Sequence, residues 1–398
     1  MKIITIHEPL QVDSDPRVSR RALSVHRLLL RVALSAGSIF SWLFIFQYFY
    51  AVSPDTAQAF ARTALLYALS QVVISLATPL SARLLRYGAR RELTAASLLL
   101  GAAFVLLGAT FQGLWGSAYT LWGVVAFAVL IGLYRALYWI PYDAEIRGEE
   151  VGVGKSVWRE IAVALVPAFV GFMLLGGGVA PWWLLFGAAS LAFVAIAPLR
   201  RLRDVHELFP WGYRETFAEC MAPENRDLIR GAMFDGAYGA ALLFIWPLIV
   251  FLIVGWSYGV LGVILSLTFL VGILLRGTMR AFIRSLKLHE SKLVNTLFVI
   301  SPWILRLGVA TPLGIVLVDS YFYTTTPRRA GMDPITFEQS GDAGYFVDRY
   351  TAVKEVGLSV GRIFICIFAA VLALNVSLPL ALIAAFLLAA FLSVWSAR

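Results

Sequence analysis

Arg135, Tyr138, Trp139 and Tyr142 recur at i, i+3, i+4 and i+7, which puts one guanidinium and three aromatic rings on a single helical face. That face suits an anionic or amphipathic ligand, held by paired hydrogen bonds and stacking. The same spacing also fits an interfacial aromatic belt, with Arg135 reaching out to the headgroups. Arg159-Glu160 and Lys354-Glu355 each set a carboxylate beside a base near a helix start. A carboxylate in a partly dry site can take up and release a proton, so Glu160 and Glu355 are candidates for coupling. Alternatively each pairs with a base on a neighbouring helix, as a gate or a brace, or is solvated and favoured by the helix dipole. Glu355, Ser359 and Arg362 recur at i, i+4 and i+7, with Arg362 the deeper and the better substrate candidate. Asp235 shares a face with Tyr238, and Asp319 shares one with Tyr323. Asp319 lies inside the apolar run from Gly314 to Phe322, where a lone charge is expensive, so it needs a partner; Arg306 is one candidate. The first apolar segment has Ser35, Ser38, Ser41, Gln47 and Tyr48 but no acid, which argues against export of organic cations.

The elements that must position these residues follow from composition. The chain has 398 residues, 60% hydrophobic and 14% charged, with a mean hydropathy of +0.80. Soluble domains carry about 25% charged residues. An ordinary cytosolic enzyme, a disordered chain and a secreted disulfide scaffold are therefore excluded. Twelve apolar segments are predicted, at 28–51, 58–82, 92–112, 118–141, 157–177, 181–199, 229–253, 256–276, 291–310, 312–326, 351–373 and 376–396. They must be helices, because lipid cannot satisfy unpaired backbone groups and no alternating barrel pattern is present. The ninth and tenth are split mainly by Thr311-Pro312, and the tenth is short. The expected class is an all-α integral membrane protein.

Charge fixes the expected orientation. The net charge of +9 would suggest nucleic acid in a soluble protein. Here the bases collect in alternate loops, so no nucleic-acid partner is expected. One set holds Arg17, Arg20, Arg21 and Arg27, then Arg83, Arg86, Arg90 and Arg91, then Arg147 and Lys155, then Arg200, Arg201 and Arg203. It continues through Arg280, Arg284, Lys287 and Lys292 to Arg328, Arg329 and Arg349. The other loops are nearly free of base, with Arg62 the main exception. The positive-inside rule places both termini in the cytoplasm, in a plasma (inner) membrane. The N-terminus lacks an early apolar h-region, so the first apolar helix should serve as an uncleaved signal anchor.

The polar stretch from Arg200 to Asp227 divides the chain. The expected organisation is a cytoplasmic segment 1–27, a first six-helix half 28–199, a cytoplasmic linker 200–228 and a second six-helix half 229–398. The halves echo each other. Trp158-Arg159-Glu160-Ile161-Ala162 opens the fifth helix, and Val353-Lys354-Glu355-Val356-Gly357 opens the eleventh. Tyr138-Trp139 with Tyr142 in the fourth matches Tyr321-Phe322-Tyr323 in the tenth. Internal repeats with a site at their interface are a transporter feature. Between helices two and three lies Ser81-Ala82-Arg83-Leu84-Leu85-Arg86-Tyr87-Gly88-Ala89-Arg90-Arg91.

Over nearly its whole length the chain resembles the major facilitator superfamily. Arg86, Gly88, Arg90 and Arg91 match that superfamily's loop motif, while Ser81 replaces its first Gly and Leu85 its usual Asp. The resemblance implies twelve transmembrane helices in two pseudo-symmetric six-helix bundles. It also implies a central cavity bordered by helices four, seven and ten. The function so implied is secondary transport of a small anionic or amphipathic solute by alternating access, coupled to protons. The substrate candidates are Arg135, Tyr138, Trp139, Tyr142, Tyr323 and Arg362. The coupling or gating candidates are Glu160, Asp235, Asp319 and Glu355. A translocase for a lipid or lipid-linked substrate on the same fold is the alternative. The expected partners are the bilayer, a small-molecule substrate and protons.

Other signals carry less. Gly152-Val153-Gly154-Lys155-Ser156 looks like the end of a P-loop, but Glu149 stands where the required glycine would be, which removes the case for an ATP-driven pump. Asn375-Val376-Ser377 is a sequon in a tight loop against the membrane. His7, His26, His206 and His289 lie outside or at the edges of the segments, so no metal or haem site and no other cofactor is expected. Cys220 and Cys366 are not expected to form a disulfide. The aromatic stretch 208–217 reads as an amphipathic interfacial linker or a solvated loop. The stretch from Pro327 to Asp348 reads as a mobile connection.

Overall fold

The computed structural model describes residues 16–148, 157–175, 179–206, 208–285, 292–325 and 347–396. The segment Gly152–Ser156, the stretch 327–346, His7 and His289 lie outside the described residues. Every regular element among those described is helical: α1 (Pro16–Val52), α2 (Thr56–Leu84), α3 (Ala89–Gln112), α4 (Thr120–Gly148), α5 (Val157–Leu174) and α6 (Pro181–Val194). Then come a short helix α7 (Tyr213–Met221), α8 (Arg226–Ala240), a π-helical turn Ala241–Ile245, and α9 (Trp246–Ile253). The chain continues with α10 (Tyr258–Ser285), α11 (Lys292–Leu307), α12 (Pro312–Thr325), α13 (Val347–Asn375) and α14 (Leu378–Ser396).

Local chemistry sets several boundaries. The Asp55 carboxylate accepts from the Ala57 amide at 2.8 Å and caps α2. Gly113, at φ +82°, ends α3 in the left-handed conformation. Pro181 and Pro312 open α6 and α12, where a missing N–H costs nothing. Buried hydroxyls turn back onto their own helices: Thr63 donates to Ala59 O and Thr78 to Ile74 O, each at 2.7 Å. These two hydroxyls are thereby satisfied within an apolar surround.

Ten helical stretches among the described residues are long and apolar enough to cross a membrane. The chain is an integral, multi-pass membrane protein. The ninth and tenth predicted segments are shorter helices. α11 has 16 residues and α12 has 14, so at 1.5 Å per residue they reach only about 24 and 21 Å of a core about 30 Å thick. Two other expectations change. α1 starts at Pro16 rather than 28, so His26 is not at an edge: it is buried, with Nδ1 2.7 Å from the Ala195 carbonyl. The central linker is not all loop, because α7 folds within it and the Tyr213 hydroxyl donates to Leu76 O at 3.2 Å.

Within the first half of the sequence, α3 packs on α4 and α6, α1 on α5 and α6, and α2 on α4. Within the second half, α8 packs on α13, α10 on α12, and α14 on α11 and α13. Two seams join the halves: α2 against α13 and α5 against α10. The α5–α10 seam is glycine-lined. A Cβ at Gly262 would stand 2.2 Å from Pro167 O, and one at Gly171 would stand 2.6 Å from Tyr258 O. Backbones can approach this closely only where no side chain intervenes.

Candidate functional site

A cavity of about 120 Å3 lies between the seams. From the first half, α1 gives Leu34, Ser38 and Trp42, α2 gives Tyr67, Ser70 and Gln71, and α4 gives Ile131, Tyr134, Arg135 and Trp139. From the second half, the π turn gives Leu242 and Leu243, α9 gives Trp246, α10 gives Thr268 and Phe269, and α12 gives Asp319 and Tyr323. The wall is largely apolar, aromatic and aliphatic in equal number, with a minority of polar groups, as small-molecule sites are.

Its acid is already engaged. Asp319 Oδ1 accepts from Arg306 Nη2 at 2.8 Å and from Nε at 3.1 Å. Its Oδ2 accepts from the Trp246 indole at 2.8 Å. The Arg306 guanidinium also lies 4.7 Å from the Phe322 ring and 4.8 Å from the Trp303 ring. The partner that lipid cost demands for Asp319 is thus the arginine across the Thr311-Pro312 break. Trp246 was not a sequence candidate, because nothing along the chain links it to a residue 73 positions away.

The predicted α4 face divides between two chambers. Arg135 and Trp139 reach the main cavity. Tyr138 and Tyr142, with Trp139 shared, line a smaller void with Arg27, Leu30, Arg31 and Leu34. Tyr138 stacks on Tyr142 at 5.2 Å, and the Arg27 guanidinium lies 5.9 Å from the Tyr142 ring. Beside this void Arg31 grips Glu160 with two bonds of 2.9 and 3.0 Å. Both belong to the first half, so the pair braces α1 to α5 and does not bridge the halves.

The remaining candidates lie off the cavity. Arg362 is buried behind the wall, where its Nη1 donates to Gln71 Oε1 at 3.2 Å. Glu355 is buried on the same helix and acts on the Arg362 charge. Asp235 is half-buried on α8 and lines neither chamber.

The two ends of the cavity are built differently. At the end carrying the 53–55 and 254–257 connections, Trp256 lies 5.3 Å from Phe46 and 4.8 Å from Tyr50, ring to ring. Tyr258 lies 5.4 Å from Phe44 and donates to Gln47. Trp256 adopts φ +65°, a strained backbone for an aromatic residue, which turns its ring onto α1. At the opposite end Ala82, Leu85, Ala89, Ile140 and Ala144 pack on Ala352 of α13. Leu85, where the superfamily motif has its acid, is thus an apolar contact. An acid does stand at the motif, and it comes from the linker. Asp204 accepts from the Arg90 amide at 3.0 Å and pairs with its guanidinium at 3.5 Å. Gly88, at φ +110°, makes room for it, since a Cβ there would lie 2.5 Å from Asp204 Oδ1.

Among the described residues no cluster of three or more His, Cys, Asp or Glu side chains could hold a metal ion.

No protein-family model matches the chain, and no curated protein matches it in sequence. Solved structures do match. A D-xylose-proton symporter aligns with a TM-score of 0.61 at 13% identity, covering 95% of each chain. A peptide transporter aligns at 0.57 and 13%, covering 94% of this chain and 92% of that one. A bacterial homologue of the iron transporter ferroportin, solved outward-facing with soaked iron, aligns at 0.56 and 17%, covering 95% and 99%.

Proposed function

We propose that this chain, which has the major facilitator fold, is a secondary transporter that moves a small solute by alternating access. The observation that carries the reading is a largely apolar cavity lined from both halves of the sequence and flanked by two seams. In the predicted numbering those seams pair the second helix with the eleventh and the fifth with the eighth. A six-helix repeat exchanges them, which supports two six-helix bundles, at 28–199 and 229–398, rocking about the cavity. On this reading α11 and α12 complete a set of twelve spans, and both termini face the cytoplasm.

Protons drive the cycle through Asp319, the acid on the cavity wall. A proton arriving there neutralises the carboxylate and loosens its hold on Arg306 and the Trp246 indole. Two steps are thereby linked, protonation and a change in what the wall offers a solute. Glu355 tunes the Arg362 charge, Glu160 braces α1 to α5, and Asp235 lies outside this relay.

Uptake by proteoliposomes tests the reading, with a panel of labelled solutes and lipid probes, with and without a pH gradient. Gradient-driven accumulation that Asp319→Asn abolishes while counterflow persists is the expected result. Redistribution of lipid probes alone would replace the reading with a translocase, and equal uptake without a gradient would remove the proton.

A further inference from the structure

The charges around the cavity do not cancel. Its wall carries one basic and one acidic side chain, Arg135 and Asp319. Asp319 accepts hydrogen bonds on both oxygens from Arg306 and Trp246, so it has little left for a ligand. Arg135 makes no hydrogen bond and no ion pair among the described residues. Behind the wall Arg362 is 1% exposed, and only its Nη1 is satisfied, by Gln71. Its Nε and Nη2 have no acceptor among the described residues. Arg135 is close enough to oppose the Arg362 charge, which Glu355 partly offsets. A buried guanidinium with bare donors is costly, and the chemistry that removes the cost is an oxyanion.

We propose that the cavity takes a soluble organic anion whose carboxylate or phosphoryl oxygens bridge Arg135 of α4 and Arg362 of α13. Its apolar body lies against Trp42, Trp139 and Phe269 on the same wall. Gln71 is the placeholder. Its Oε1 holds Arg362, and its Nε2 donates to Ser70 at 3.1 Å. An arriving anion displaces Oε1 and takes up the bare N–H groups. Because one arginine comes from each half of the sequence, a bound anion ties the halves together by offsetting the repulsion between two cations. The inference rests on reading this cavity as the transport site.

The test is a tryptophan-fluorescence titration of the purified full chain in detergent, since Trp42, Trp139 and Trp246 line the cavity. The probes are benzoate and phenylphosphate, with benzylamine and benzyl alcohol as controls of similar size. The anions should quench saturably and bind about tenfold or more tighter than either control. Arg135→Gln should weaken benzoate about tenfold, and Arg135→Lys should restore part of the loss. Arg362→Gln threatens folding, so Gln71→Leu is the second variant; it frees Arg362 and should keep or tighten anion binding. Benzylamine binding as tightly as benzoate would overturn the proposal, as would an unchanged titration in Arg135→Gln or lost binding in Gln71→Leu. Quenching by lysophosphatidate without quenching by phenylphosphate would move the site to lipid headgroups and overturn the soluble anion. Labelled benzoate uptake is read separately. Binding without uptake rejects the transporter and keeps the anion site; solute uptake indifferent to Arg135→Gln does the reverse.

Discussion

At one end of the cavity the halves of the sequence meet through Phe44, Phe46, Tyr50, Trp256 and Tyr258; at the other they meet through alanines, Leu85 and Ile140 around Ala352. An aromatic side chain buries about 150–250 Å2, far more than an alanine, and ring pairs add about 0.5–1.5 kcal/mol beyond that area. The aromatic end is therefore the firmer contact, and its strained Trp256 backbone is offset by the ring contacts with Phe46 and Tyr50. The alanine end is smooth and shallow, so it can part with little loss. Opening the two ends should thus differ in cost.

The largest expected effect probes a contact that stays within one half. Glu160→Gln removes the carboxylate charge that faces Arg31, 7% exposed, across a 2.9 Å ion pair, at about 3 kcal/mol. The thermal midpoint should fall, yet access to the cavity should not change, because α1 and α5 move together. Altered access would show that the brace is also a gate. Next comes Trp256→Ala, expected to cost about 2 kcal/mol at a half-buried ring. Labelling of a Ser38→Cys reporter by an impermeant maleimide from the aromatic side should then rise about tenfold. No rise would remove the contrast between the ends. The reporter has a quiet background: Cys366 is buried, and burial pushes the Cys220 thiol up to about 11, so little thiolate forms at neutral pH. The smallest effect is Asp204→Asn. It keeps an acceptor for the Arg90 amide and loses a half-exposed ion pair with Arg90 and a 4.0 Å contact with His206, about 0.5 kcal/mol. A large drop in the midpoint would mean that the alanine end depends on this loop more than its contacts suggest.

How much of this was legible depended on distance along the chain. The apolar runs, the Thr311-Pro312 break and the need of Asp319 for a base could be read directly, since each is a local demand of lipid on the backbone or on a charge. The α4 face was legible as a stripe but not as a site. Seven residues climb about 10 Å, so Arg135 and Tyr142 open on different chambers although they share a face. The bond from Arg362 to Gln71, 291 residues apart, depends on how α2 and α13 rotate against each other, which periodicity does not contain. The substitution of Asp204 for the acid missing at Leu85 was hidden for a similar reason. The motif is judged by its own residues, and the charge arrives from a linker more than a hundred positions later.

The π-helical turn at Ala241–Ile245 stands where α8 passes the cavity, with Leu242 and Leu243 on the wall and Phe244 stacked 4.3 Å from Tyr67. Such a turn holds one residue more than an α-turn, in a poorer hydrogen-bond geometry. Letting that residue migrate along the helix would twist the intervening segment by about 100°, carrying Phe244 off Tyr67 or the Trp246 indole off Asp319. The helix is in this sense a torsion spring with its slack stored at the level of the cavity, so that a quarter-turn of one segment can be exchanged for a tilt of the whole.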